Sequence, residues 1–183
     1  MFSALCINLD NSNKNRKGEK ERSLAINQFI KKVSNDCKLD IIFTQDKYSK
    51  SNLDNLKSDL SESKEFVFER KQFDGNTSDH VGIFINTERF KVSNIEKHQN
   101  KELEKFRNHD SEFFIETHRA IFVLVEDKIT QQTILLSSFH AKKNNITDIK
   151  REKHIIEFLT LLEGISQRIQ AHNILGNYVI NPV

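Results

Sequence analysis

The sequence predicts an α/β (α+β) fold, a mixed β-sheet core with flanking helices, in a single domain over residues 1–183. Three observations carry this. A strand, a helix and a second strand fit within about 45 residues at the start of the chain, the length of a βαβ-type unit. Two apolar runs, Ala120–Val125 and Gln132–Phe139, are joined by the polar stretch Glu126–Gln131 and so form a hairpin. A long helix with a wide apolar stripe follows them. Strands in hairpins interrupted by helices imply a sheet covered by helices.

The elements follow in order. Phe2–Leu9 is short and apolar and reads as a buried strand. Asp10–Glu19 is polar, contains Gly18 and reads as a loop. From Glu21 to Val33, the residues Leu24, Ile26, Phe29, Ile30 and Val33 recur at helical spacing. Leu39–Thr44 is a second buried strand and Asn52–Leu60 a short helix. Glu65–Arg70 and His80–Ile85 are strands around Phe73–Asp79, which holds an Asp-Gly turn signal. Arg89–Ile95 is a further strand, and Glu96–Asp110 a solvated loop or helix. After the hairpin, Thr147 or Asp148 caps a helix reaching Ile169, whose stripe is Ile155, Ile156, Leu159, Leu162, Ile165 and Ile169. Asn173–Ile180 is a last strand, running towards Pro182.

The chain of 183 residues can bury roughly 70% of its unfolded surface, enough for a core. Its 28 basic and 26 acidic residues leave a net charge of +2, so no global field draws it to nucleic acid or to an anionic membrane. Cys6 and Cys37 read as reduced core thiols. No basic leader opens the chain and no apolar run approaches the ~20 residues of a membrane span. The expected setting is intracellular, cytoplasmic or nuclear, with no membrane partner. The sequons at Asn76 and Asn145 are then chance matches.

Five segments occur in an order that resembles the endonuclease/exonuclease/phosphatase family, also called deoxyribonuclease-I-like. The opening strand carries Asn8. Asp40-Ile-Ile-Phe-Thr-Gln-Asp46 is similar to the family's strand ending in Gln-Glu. His80-Val-Gly-Ile-Phe-Ile85 is similar to its Gly-containing strand. The hairpin ends in Ser138-Phe-His140, similar to the strand that delivers a His. Asn173-Ile-Leu-Gly176, with Pro182, is placed like the strand that runs into Gly-Asp-x-Asn. The resemblance covers essentially the whole chain and implies a partial form of the family's four-layer β-sandwich. It also implies Mg²⁺-dependent hydrolysis of a phosphoester, with a phosphate-containing ligand or nucleic acid as partner.

Within that resemblance Asn8 and His140 are the catalytic candidates and Asp46 the metal ligand. Asn8 would orient the nucleophile or phosphate. His140 would donate to a phosphate or act as general acid, for which its ordinary pKa suits it, with Lys142 and Lys143 adding positive charge. Asp46 would offer the hard oxygen Mg²⁺ requires. All three are expected to converge at strand ends on one edge of the sheet.

The departures are as specific. Asp46 stands where the family has Glu. Holding Leu175-Gly176 and Pro182 in place puts Tyr178 at the family's Asp and Ile180 at its Asn. The family's later strands and terminal Ser-Asp-His motif, which supplies the base, have no counterpart. Ser78-Asp79-His80 falls at the wrong place in the order and reads as a coincidence in a turn. A phenol cannot do the work of a nucleophile-positioning carboxylate at neutral pH. The expectation is therefore a degenerate or partial domain, a pseudoenzyme that binds rather than turns over. The alternative is a Mg²⁺-dependent phosphodiesterase or nuclease completed by further chain, and a plain structural domain is the third reading. Glu116-Thr-His118 and His154 are read as surface residues, and no P-loop, dinucleotide or zinc motif occurs.

Overall fold

The computed structural model describes residues 2–9, 19–47, 50–61, 66–72, 79–93, 120–140, 148–171 and 176–182. They form eight strands and three helices in two compact units, Met1–Phe90 and Lys91–Val183. The expected loops at Asp10–Gly18, Glu96–Asp110 and 73–78, and Lys142, Lys143 and His118, lie outside the described residues.

In the first unit β1 (Ala4–Asn8), α1 (Glu19–Cys37), β2 (Ile41–Lys47), α2 (Lys50–Ser61), β3 (Phe66–Gln72) and β4 (Asp79–Asn86) follow in order. The sheet order is β1-β2-β4-β3. β1 and β2 run parallel, and β4 is antiparallel to both β2 and β3. One face packs on the helices: Ile42, Phe66 and Phe84 meet Ile30 of α1 and Leu53, Leu56 and Leu60 of α2.

α1 begins two residues earlier and ends four later than its apolar spacing suggested, and its buried row differs. Ser23, Asn27, Ile30 and Ser34 are buried, while Leu24 and Phe29 are exposed. Polar residues hold this row because they have partners there. The Asn52 Nδ2 donates to Ser23 Oγ at 2.8 Å, and Asn27 Nδ2 donates to the Asn52 carbonyl at 3.3 Å. The helix stops at Lys38, in the left-handed region with φ 49°. The Leu39 N–H reaches back to the Ser34 carbonyl at 3.0 Å, the closure of a Schellman motif.

β1 is a half-exposed edge strand rather than a buried one. Leu5 and Ile7 pack on the core, while Ala4, Cys6 and Asn8 are exposed. The cysteines are accordingly free but not core thiols: Cys6 lies on the outward row of β1, and Cys37 is the exposed last residue of α1.

A polar anchor sits at the start of β2. The Asp40 carboxylate accepts from Arg89 Nη1 at 2.8 Å, from Asn86 Nδ2 at 3.4 Å and from the Ser3 backbone N–H at 3.2 Å. The Arg89 guanidinium also stands 5.4 Å from the Phe90 ring centre and 6.0 Å from that of Phe2.

The second unit holds β5 (Phe90–Ser93), β6 (Ala120–Asp127), β7 (Thr133–Phe139), α3 (Asp148–Ala171) and β8 (Gly176–Pro182), with sheet order β5-β6-β7-β8. The hairpin expected from the two apolar runs is β6–β7, and β8 adds in parallel at the sheet's edge. Its turn is closed by Asp127, whose Oδ1 accepts from the Ile129 N–H at 2.9 Å, with Gln131 in the left-handed region. β6 and β7 are buried on both faces over nearly their whole length, which is why they read as continuous apolar runs.

α3 covers one face with Phe158, Leu161, Leu162 and Ile165, a stripe at i, i+3, i+4 and i+7. Phe158 stacks on Phe139 at 4.6 Å and on Phe122 at 5.8 Å between ring centres. Leu162 and Ile165 are buried as expected, but Ile155, Ile156 and Leu159 are exposed. The stripe is rotated because Phe158, the largest side chain on that stretch, takes the central place. Among the described residues no helix is long and apolar enough to cross a membrane.

Two stability outcomes follow. Arg89→Ala leaves the Asp40 carboxylate buried without its cation and should cost about 3–5 kcal/mol in urea unfolding, with Arg89→Lys recovering only part. Phe158→Ala should cost about 3–5 kcal/mol, whereas Leu159→Ala, at 45% exposure, should stay within about 0.5 kcal/mol.

Candidate functional site

The first unit gathers its chemistry where β1 and β2 end together. The two strands are parallel and in register from Ala4↔Ile41 to Asn8↔Gln45. The ladder continues one step further, with the Leu9 N–H donating to the Gln45 carbonyl at 2.8 Å. Asn8 is exposed and Gln45 is buried. Asp46 follows Gln45, so the backbone positions of Asn8 and Asp46 are about 6 Å apart by strand spacing and rise. This is the carboxyl end of adjacent parallel strands, where open α/β sheets place ligands.

β4 enters the same end from the opposite direction. Asp46 stands opposite His80, and Lys47 opposite Asp79. On the far side of β4, Gln72 of β3 is also opposite His80. A row of Asp46, His80 and Gln72 therefore crosses three strands. The sequence reading missed His80. It left Ser78-Asp79-His80 in a turn because the Asp-Gly signal dominates that stretch, but β4 already begins at Asp79. The signal that finds it is the antiparallel count back from Gly82, which stands opposite Thr44.

In the second unit His140 directly follows β7 and is half-buried. It leaves the strand beside Pro182, the register partner of Phe139 on β8. Asn181 stands opposite Ser138, which is fully buried. Tyr178 and Ile180 stand opposite Leu135 and Ser137, while Asn177 and Val179 stand opposite Ile134 and Leu136. A count made directly from Gly176 assigns Asn177 to the Asp of Gly-Asp-x-Asn and Val179 to its Asn. It is the simpler count, since it keeps the glycine adjacent to the position it precedes. Neither count puts an acid there.

Among the described residues no group of three His, Cys, Asp or Glu side chains is poised to hold a metal. The oxygen donors available to Mg²⁺ at the first unit's strand end are the Asp46 carboxylate and the Asn8 carbonyl, fewer than the ion's six-oxygen shell asks for without water or a bound phosphate. His80, opposite Asp46, offers nitrogen instead.

One carboxyl group is strongly perturbed, and it lies elsewhere. Glu157 on α3 is half-buried, its Oε2 has no hydrogen-bond partner among the described residues, and burial pushes its pKa up to about 7, against a smaller lowering by Lys153 one turn earlier. Its cause is the packed helix face around Phe158, not a cluster of ligands.

No family model matches the chain, and no curated protein matches it in sequence. Solved structures do share its fold. The Bacteroides thetaiotaomicron mannosyl-6-phosphatase is 15% identical with a TM-score of 0.65, over 98% of this chain and 64% of that one. An endonuclease/exonuclease/phosphatase family protein from the same organism is 14% identical with a TM-score of 0.62, over 98% and 62%. D. rerio TDP2, in a complex with single-strand DNA product, is 16% identical with a TM-score of 0.59, over 88% and 54%. The chain thus has the endonuclease/exonuclease/phosphatase fold, as its segment order suggested. It spans between 54% and 64% of the length of these structures.

Glu157 sets a pH dependence. Its folded pKa of about 7 lies above the ordinary 4.5, so the folded form holds the proton more tightly. The stabilisation is fully present below pH 4.5 and is lost as pH rises through 7. Glu157→Gln should be more stable than wild type at pH 8 by about 1 kcal/mol, with the difference vanishing at pH 4.5, read from urea melts at both values.

Proposed function

We propose that this chain is a divergent endonuclease/exonuclease/phosphatase domain that binds a phosphate ester and no longer turns it over. The observation that carries the reading is the strand-end pairing of Asn8 with Gln45 beside Asp46, in a fold shared with phosphate-ester enzymes. Asn8 is the orienting amide, and Asp46 is the carboxylate that holds a divalent ion. His140, at the end of β7, is the second unit's candidate donor to phosphate. The ligand class extends from a sugar phosphate to single-stranded DNA, by analogy with what two of the similar structures are named for or carry. The free thiols Cys6 and Cys37 suit a reducing, intracellular setting.

Loss of turnover rests on the β8 positions. Whether the count runs to Tyr178 and Ile180 or to Asn177 and Val179, no carboxylate is available to position the nucleophile. Asn177 retains the shape of Asp but not its charge, and each missing acid or base is worth ~10²–10⁴ in rate. A Mg²⁺-dependent phosphodiesterase is the second reading. It is favoured by the longer neighbours, whose additional length is where a base would be supplied in a longer form of the chain.

The purified chain with Mg²⁺ or Mn²⁺ should not hydrolyse plasmid DNA or bis-nitrophenyl phosphate above the buffer rate. It should still bind a fluorescent single-stranded oligonucleotide, with Asn8→Ala and Asp46→Ala each weakening anisotropy titrations several-fold. Turnover that His140→Ala abolishes overturns the reading and restores the enzyme.

A further inference from the structure

We infer that Asp46 and His80 form a mixed carboxylate–imidazole metal site that prefers a borderline transition-metal ion, such as Co²⁺ or Zn²⁺, over Mg²⁺. The inference rests on the proposed phosphate-binding reading only for the use of the ion, not for its binding.

Asp46 and His80 are direct partners across the antiparallel β2–β4 ladder. Residues so paired share one face, with Cβ atoms about 4.5–5.5 Å apart. That span suits two side chains meeting one ion at bonds of about 2.0–2.2 Å. Gln72, the partner of His80 on β3, completes the row. Its amide oxygen is either a third donor or the group that fixes the second imidazole nitrogen, as outer partners of metal-bound histidines do.

The neighbouring positions fit this assignment. Asp79 is paired with Lys47, so its charge is matched across the ladder and it is not needed as a ligand. Two residues back from Asp46, Thr44 is fully buried, and its hydroxyl has no hydrogen-bond partner among the described residues. It stands opposite Gly82, which has no side chain to fill the space next to the Asp46–His80 pair. An open floor beside an unpartnered hydroxyl is what a hydrated ion can use.

The donor set decides the ion. Mg²⁺ asks for hard oxygens in near-octahedral array. Imidazole with one carboxylate is a borderline set that follows the Irving–Williams order towards Co²⁺, Ni²⁺ and Zn²⁺. The sheet register thus disagrees with the Mg²⁺ that the resemblance implies.

The test is calorimetric titration of the whole chain with Co²⁺ and with Mg²⁺, with the Co²⁺ absorption spectrum recorded alongside. Co²⁺ should bind at least about tenfold more tightly than Mg²⁺, with visible bands that report nitrogen ligation. His80→Ala should remove those bands and the preference, and His80→Gln should do the same while keeping the side chain's size if the alanine variant is poorly folded. Asp46→Asn should weaken both ions. Asp79→Asn and His140→Ala should leave the Co²⁺ titration unchanged. Equal or tighter Mg²⁺ binding, no Co²⁺ binding, or a Co²⁺ spectrum that survives both His80 variants overturns the inference. Oligonucleotide binding followed in parallel, with and without EDTA, separates the two readings. Binding that persists in EDTA while the Co²⁺ result fails removes only the metal site. Intact Co²⁺ binding without oligonucleotide binding removes only the proposed function.

Discussion

Asp40 fixes where the first sheet begins, and the strand end that carries the candidate site inherits its register from there. Its carboxylate gathers the Ser3 N–H, the Asn86 amide and the Arg89 guanidinium. Its own backbone N–H and that of Ile41 both donate to the Ser3 carbonyl. The starts of β1 and β2 and the end of β4 are held at one point. From that point the parallel ladder counts forward residue by residue to Asn8 and Gln45, and the antiparallel ladder counts back from Asn86 to His80. A slip of one residue would exchange the faces of a strand and would separate Asn8 from Gln45 and His80 from Asp46. The anchor lies about 16 Å from the residues it aligns, by five steps of strand rise, and touches none of them.

Much of the fold was legible because burial on both faces leaves a plain trace. β2, β6 and β7 are nearly continuous apolar runs, and the β6–β7 hairpin needs no more than two such runs and a polar turn. The helices were legible as helices but not as faces. In α1 the buried row is built partly from Ser23, Asn27 and Ser34, whose polarity hides them from an apolar count. Their burial depends on partners such as Asn52 that are distant in sequence. In α3 an aromatic residue, Phe158, set the rotation and turned Ile155, Ile156 and Leu159 outward. Cys6 and Cys37 were misread for a related reason: an apolar neighbourhood in sequence says nothing about which row of an edge strand a residue occupies.

The candidate site was legible only through the order of its segments. Asn8, Asp46 and His140 are ordinary residues in ordinary surroundings, and no periodicity marks them. What the order conveyed was the fold, which the solved structures share at 14–16% identity. What it could not convey was a cross-strand neighbour. His80 matters through its partner 34 positions earlier, Asp46, and only a register supplies that. The β8 positions show the same limit from the other side. A shift of one residue in counting exchanges Tyr178 for Asn177, and the parallel pairing assigns them to different rows, with Leu135 and with Ile134.

The outward row of β1 has a practical consequence. Cys6 lies two residues before Asn8 on the same exposed row, about 7 Å away along the strand. Its thiol ionises above its ordinary pKa because of partial burial, so it is a slow nucleophile rather than an inert one. With Cys37 replaced by serine, a nitroxide or fluorophore attached at Cys6 becomes a native-position reporter. Its line shape or emission would register an ion or a phosphate arriving at the strand end without altering any of the residues that would receive it.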